Sequence, residues 1–304
     1  MGDINAEMDS LIKLSMSTNS WKTHKTAVDS FNCLRISYGF DDILPATVDH
    51  IAYLSHKGLA ASTVSTYISG LSHAHKINDL IDNTKSFIIS KLLEGLRRKY
   101  PQRPDARTPI SRDMLKRIIH SLQTICSSLY EACLFSSAFS LAFCAMLGVS
   151  EITVTSKTDE SGHALNFEDV TFHKMGDQGE MHVQIRSSKT DQKANSITLV
   201  LQKQTELDIC PVYLLQSFLR VLFSGIKGSD KLYVPFDGSA LTRYQFCSVL
   251  QKCFLSFCEV PFHIRSHSFR IVRVTEMAKH GVDEETIKLC GRLISDSYLR
   301  YIRI

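Results

Sequence analysis

The sequence has no cysteine pair at CxxC spacing, no apolar leader at its N-terminus and no internal repeat or low-complexity segment. Its nine cysteines are scattered, which excludes a disulfide scaffold and implies reduced thiols in a cytosolic or nuclear setting. The loosest metal candidate, Cys247, Cys253, Cys258, His263 and His267, lacks the spacing of a closed zinc site, so no metal is expected. A membrane span of about eighteen apolar residues is missing too. The stretch from Ala132 to Ile152 comes nearest, but serines interrupt it and Glu151 sits near its end, so it reads as a buried helix. A strong net charge is also lacking: at +4, overall charge does not announce a nucleic-acid partner.

What is present fits a soluble two-domain protein. A chain of 304 residues can bury two cores, and 44% hydrophobic with 22% charged residues is ordinary for a globular chain. Residues 1–18 show no fixed apolar period and read as a loosely ordered lead-in or a frayed helix. From Ser20, Ala27, Val28, Phe31 and Leu34 recur at helical spacing. A second helix is expected from Pro45 to Gly58 with Val48, Ile51 and Ala52 inward. A third begins at Ser62 with Val64, Tyr67, Ile68 and Leu71 on one stripe, and a fourth spans Thr84 to Lys99 with Phe87, Ile88, Leu92 and Leu96 inward. Four such helices over residues 19–100 make a small all-helical bundle.

Residues 101–109 then read as an extended linker, because its prolines bar helix and remove backbone donors. Across this boundary Lys91, Arg97, Arg98, Lys99, Arg103 and Arg107 are set against only Glu94 and Asp105, a run suited to phosphate contacts. Residues 110–304 form the second domain. Helices are expected at Ser111–Leu122, Ser127–Leu147, Pro211–Phe223, Thr242–Phe257, His267–Lys279 and Asp283–Leu289, with a last one around Ser295–Ile302. Short alternating or β-branched runs at Ala164–Val170, Met181–Ile185 and Ser196–Leu201 suggest a small antiparallel sheet, so the fold class is mainly α with that sheet.

The C-terminal part carries the chemistry. His267 and Arg270 lie three apart on one helical turn, where both can grip one anion. Further on, Tyr298 and Tyr301 stand beside Arg300 and Arg303. A phenol with a pKa of about 10 needs positive neighbours to act as a nucleophile at neutral pH. His, Arg, Arg and Tyr without paired carboxylates suit transfer at a phosphodiester, where positioning and charge neutralisation dominate. With Gly291-Arg292-Leu293-Ile294-Ser295-Asp296-Ser297-Tyr298-Leu299-Arg300-Tyr301-Ile302-Arg303 following His267-Ser268-Phe269-Arg270, the sequence resembles the tyrosine recombinase (phage integrase-like) superfamily. The resemblance is closest to the recombinases of Crypton-type and DIRS-type mobile elements, which end in a motif similar to HSFR followed by GRWSSDAYLRYIR.

The resemblance implies a core-binding domain in residues 19–100, a catalytic domain in residues 110–304, and double-stranded DNA as partner, with homo-oligomers forming on it. Trp21–Leu34 and Ala60–Lys76 look like the first and third core-binding helices, with Lys22, Lys25, Thr63, Thr66 and Lys76 as candidate DNA contacts. By the same resemblance Tyr301 is the nucleophile that forms a 3′-phosphotyrosyl bond. Arg270 and His267 bind the scissile phosphate, and Lys189 is the general acid on a hairpin. Tyr298 is the competitor that packs instead. Neither metal, ATP nor another small-molecule cofactor is implied, because the phosphotyrosyl bond keeps the energy of the bond it replaces.

Two positions depart from the pattern. Where related chains read like FLRVSELTV, this one reads Met146-Leu147-Gly148-Val149-Ser150-Glu151-Ile152-Thr153-Val154, with Gly148 in place of the first arginine. No arginine occurs between Arg117 and Arg186, which leaves Lys157 as the conceivable substitute. Leu293 stands where tryptophan is usual, so Arg292 would have to turn inward to supply a donor. Only three residues follow Tyr301, whereas related chains usually continue into a tail that docks on a neighbouring subunit. Losing one preorganised donor at a developing oxyanion costs about 2.7 to 4 kcal/mol, so impaired strand cleavage is expected, with a DNA-binding module that does not cut, or a helical protein-interaction scaffold without a DNA role, as the alternatives.

Overall fold

The computed structural model describes residues 2–40, 47–101, 107–157, 163–175, 178–186, 196–222, 229–257, 268–292, 299 and 302. The chain divides into two compact units, Met1–Pro104 and Asp105–Ile304.

The first unit is all helical: α1 (Gly2–Leu14), α2 (Thr18–Tyr38), α3 (Thr47–His56), α4 (Ala61–Ile77) and α5 (Phe87–Lys99). Residues 2–14 thus form a regular helix, yet Ile4, Met8, Leu11 and Leu14 on it are exposed. Ser17 caps α2 by accepting the Ser20 N–H, and Gly39 ends it in the left-handed conformation that glycine takes without strain. Phe31, Leu34, Ile51, Leu54, Val64, Ile68, Leu71, Ile89 and Leu96 close one apolar core. A β-carbon on Gly70 of α4 would come within 2.7 Å of the Ala27 methyl on α2, so this helix pair depends on glycine for its close approach.

Two inward assignments fail here. Val48 and Ala52 are exposed on α3, whose core face is His50, Ile51 and Leu54. Phe87 and Ile88 are 77% and 50% exposed, because the stripe of α5 that reaches the core runs through Ile89 and Leu96. Ile89 and Leu96, seven residues apart, share one face of the helix, and Phe87 and Ile88 are rotated off it.

The second unit begins with α6 (Arg112–Ile125), capped by Ser111, and α7 (Leu129–Cys144), capped by Ser128. Nearly every residue of α7 from Ala132 onward is buried, as befits a helix apolar on all sides, and it runs through the middle of the largest core. Among the described residues no helix is long and apolar enough to cross a membrane. A short turn leads into α8 (Val149–Ile152). The sheet is an antiparallel meander of β1 (Val170–Met175), β2 (Gln178–Ile185) and β3 (Ile197–Gln202), with Val170 opposite Val183 and Val183 opposite Leu199. Met181, Val183 and Ile185 of β2 point into the core and alternate with half-buried or exposed neighbours, the pattern of a sheet covered on one face.

The strand expected at Ala164–Val170 is displaced. Phe167–Asp169 is a single 3-10 turn, held where the Asp169 carboxylate accepts the Asn166 N–H at 2.7 Å, and β1 starts only at Val170. Then come α9 (Pro211–Leu222), α10 (Arg243–Leu255, capped by Thr242 and Gln245), α11 (Ser268–Lys279) and α12 (Glu284–Gly291, capped by Asp283). The final helix expected at Ser295–Ile302 falls almost wholly outside the described residues.

Candidate phosphate-binding site

The site is built on the turn that follows α7. Met146 takes a left-handed conformation, φ 51°, which is uncommon for a residue with a side chain, and the chain reverses into Gly148 before α8. Glu151 on α8 turns its carboxylate back to accept the Gly148 N–H. That carboxylate is only 3% exposed, and an ion so buried needs positive partners.

Two arginines supply them from far along the chain. Phe269 and Ile271 of α11 are sunk in the cores, Phe269 stacking on Phe139, and this fixes the face on which Arg270 emerges. Arg270 donates from Nε to the Met146 carbonyl at 2.9 Å and from Nη2 to Glu151 Oε2 at 3.2 Å. Arg292 ends α12 in a left-handed conformation, φ 52°, with its side chain turned inward. Its Nη2 donates to the Met146 carbonyl at 3.0 Å and to Glu151 Oε2 at 3.1 Å, its Nη1 to the Ala145 carbonyl at 3.3 Å, and its Nε lies 3.4 Å from Glu151 Oε1. Among the described residues, one carboxylate thus faces two guanidiniums, a set with one positive charge more than negative. Arg270, with 14% of its side chain exposed against 4% for Arg292, carries that charge towards solvent.

Gly148 borders this cluster directly. A β-carbon there would lie 3.1 Å from Arg270 Nη2 and 3.4 Å from Glu151 Oε2, so the bare backbone is what the guanidinium rests against. Lys157, the substitute conceivable from sequence, is engaged elsewhere: its ammonium pairs with Asp237 and draws that carboxyl down to about 2. Arg186, at the end of β2, is held by Glu168 and the buried Asp169. Lys189, His267, Leu293, Tyr298 and Tyr301 lie outside the described residues.

The basic run in the first unit is partly neutralised. Lys91 and Arg98 both pair with Glu94 across one turn of α5, at 2.9 and 2.5 Å, whereas Arg97 is exposed and has no such pair among the described residues. Lys99 lies over the Tyr100 ring and near Ser55, Arg107 is half-buried, and Arg103 is outside the described residues. Of the candidates on the other helices, Lys22, Lys25, Thr66 and Lys76 are exposed and Thr63 is half-buried, with Lys76 3.5 Å from Asp82. Eight described cysteines are free, and no described group of His, Cys, Asp or Glu is arranged to hold a metal.

Sequence reasoning missed the central role of Glu151. A signal was available: a lone carboxylate at the end of an apolar run must be paired if that run is buried.

No protein-family model matches the chain, and no curated protein matches it. Among solved structures, a λ integrase dimer bound to a COC′ core site superposes with a TM-score of 0.60 at 12% identity, covering 98% of this chain and 75% of that one. The XerH recombinase in a pre-cleavage complex with its difH substrate gives 0.55 at 16% identity over 84% of this chain and 65% of that one, just under two thirds of XerH. A variant of the Tn1549 transposon integrase bound to transposon right-end DNA gives 0.53 at 16% identity, covering 86% and 81%. The fold of this chain, a helical unit followed by helices around a three-stranded antiparallel sheet, is therefore the tyrosine recombinase and integrase fold.

Proposed function

We propose that the chain is a DNA-binding protein of the tyrosine recombinase type that grips a backbone phosphate with Arg270, and that its strand cleavage is impaired. The observation that carries this reading is the convergence of Arg270 and Arg292 on Glu151 beside Gly148, within a recombinase fold. Similar structures were captured on core-site, difH and transposon-end DNA, which supports duplex DNA as the ligand. A phosphate approaching this corner meets one outward guanidinium and no side chain at all on residue 148. The missing donor accounts for a loss of about 2.7 to 4 kcal/mol in transition-state stabilisation, or a factor of roughly 10² to 10³ in rate.

In this reading Tyr301 attacks the phosphorus to give a 3′-phosphotyrosyl bond, Lys189 protonates the leaving 5′ oxygen, and His267 joins Arg270 on the phosphate. Leu293 supplies no donor where related chains have tryptophan. The first unit serves as a core-binding clamp, using Lys91, Arg97, Arg98, Lys99, Arg103 and Arg107, and copies of the chain assemble on DNA. The C-terminal motif favours kinship with Crypton-type and DIRS-type recombinases, and hence integration or recombination of a mobile element. Free thiols suit a reducing compartment, nuclear or cytoplasmic. A second reading, a DNA-binding module that does not cut, is favoured by Gly148 and by the engagement of every donor atom of Arg292 with protein acceptors.

The test is incubation with nicked duplexes of random sequence that trap covalent intermediates. Slow adduct formation that disappears in Tyr301→Phe supports the impaired enzyme. Retardation of duplex without any adduct supports the module. A chain that leaves duplex unretarded at low salt refutes both.

A further inference from the structure

We propose that Arg292 is a positioning residue that fixes Arg270 through Glu151, and that it does not itself contact the DNA phosphate. The proposal rests on the phosphate-binding reading of the site. Arg292 and Arg270 share two acceptors, the Met146 carbonyl and Glu151 Oε2. Arg292 also reaches Glu151 Oε1 and the Ala145 carbonyl, so it spans both carboxylate oxygens and both carbonyls of the turn. Its planar fork sets the plane of the carboxylate and with it the direction in which Oε2 meets Arg270. With its side chain 4% exposed, Arg292 cannot offer that fork to a ligand without leaving these acceptors.

Arg270 is fixed at Nε and Nη2 only, and among the described residues its Nη1 meets no acceptor. One arginine is thus placed to hold and the other to present. The backbone agrees with this division. The left-handed position that ends a helix ordinarily falls to glycine, and a side chain is kept there at a conformational cost. From that position Arg292 returns over the end of α12 to the turn after α7. Gly148 completes the arrangement, since no side chain on it crowds the guanidinium that Arg292 holds in place.

A double-substitution cycle on the full chain tests this, with a fluorescent duplex of random sequence as the probe. Lysine keeps the charge but loses the fork, so Arg270→Lys and Arg292→Lys should each weaken binding roughly tenfold, about the worth of one charge-assisted hydrogen bond. The double variant should be no weaker than Arg270→Lys alone, because both changes act through one guanidinium. Losses that multiply to about a hundredfold would show that Arg292 contacts DNA on its own and would overturn the proposal, as would Arg292→Lys binding like wild type.

A second readout needs no DNA. The Nε–H that Arg270 donates to the Met146 carbonyl should exchange with solvent at least about tenfold faster in Arg292→Lys, followed in spectra of isotope-labelled arginine. Unchanged exchange would sink the idea. Should the wild-type chain not retard duplex at all, the DNA reading fails while the exchange measurement still decides the role of Arg292. Arg292→Met should exceed Arg292→Lys in both effects, and circular dichroism checks each variant for folding.

Discussion

A buried carboxylate flanked by two guanidiniums contributes little net stability while intact, because desolvating three ions offsets most of their attraction, but removing one member leaves charge uncompensated. Glu151→Gln should therefore lower unfolding stability by about 3 to 5 kcal/mol in urea titrations, and a loss under about 1 kcal/mol would contradict the burial of this cluster. Next to it, Gly148→Arg should raise covalent adduct with DNA and recover part of the roughly 2.7 to 4 kcal/mol assigned to the missing donor. The pinned Arg270 guanidinium would have to yield by a few tenths of an ångström to the new β-carbon, so recovery should be incomplete. Leu293→Trp should add to it, and the restored adduct should vanish with Tyr301→Phe and persist with Tyr298→Phe. His50 offers a pH test. It is fully buried, with its Nε2 3.2 Å from Ser30 Oγ and its Nδ1 without a hydrogen-bond partner among the described residues, and burial holds the imidazole neutral by lowering its pKa to about 4. Between pH 4 and 6.5 the unfolded chain binds the extra proton, so this contribution is complete above about 6.5 and fades as pH falls toward 4. A shift of this size corresponds to about 3 kcal/mol, and His50→Phe should flatten that acid limb in thermal melts taken across pH. At this scale the motifs singled out Arg270 and Gly148, which the fold sets side by side. The partnership of Glu151 was not, because its arginines stand 119 and 141 residues away and nothing local encodes the pairing.

Elements followed the strength of their local signals. The cap residues Ser111, Ser128, Thr242 and Asp283 each begin a helix, and the largely apolar, serine-interrupted stretch after Ala132 became the buried α7. The first strand was misplaced because Asn166 and Asp169 build a side-chain-capped turn that outcompetes pairing over residues that look extended. On α5 the rotation of the stripe was misread for a different reason: Phe87 and Ile88 are apolar but lie on faces turned away from the one that Ile89 and Leu96 share. The close crossing of α2 and α4 makes a prediction at this scale. Gly70→Ala would place its methyl 2.7 Å from that of Ala27 and should cost about 1 to 3 kcal/mol, read from denaturant midpoints. A neutral result would mean that the helices separate freely. The basic face of α5 makes another. Arg97, Arg98 and Lys99 reversed to glutamate should weaken duplex binding and flatten its dependence on salt, and unchanged affinity would remove this helix from the clamp.

Pro101, Pro104 and Pro109 lie around the boundary between the two units in sequence, a composition that disfavours helix, and each unit has its own apolar core. The core of residues Phe31 to Leu96 is complete within the first unit, so a fragment of residues 1–104 should melt cooperatively by far-ultraviolet circular dichroism. A gradual, sloping melt would show that it depends on the rest of the chain. The second unit closes differently. Ile110 near its start donates its N–H to the Ser268 carbonyl at 3.3 Å, and Phe139 on α7 stacks with Phe269. During synthesis, at about 5 to 20 residues per second, the first core can therefore form while most of the second unit is still unmade. α7 must then wait for α11, leaving a largely apolar helix and the unneutralised Glu151 in search of partners for roughly 6 to 24 seconds. The arginines that close around Glu151 are thus made long after the turn they pin, and a chain cut short before Phe269 would leave the aromatic face of Phe139 and the Glu151 carboxylate without these partners.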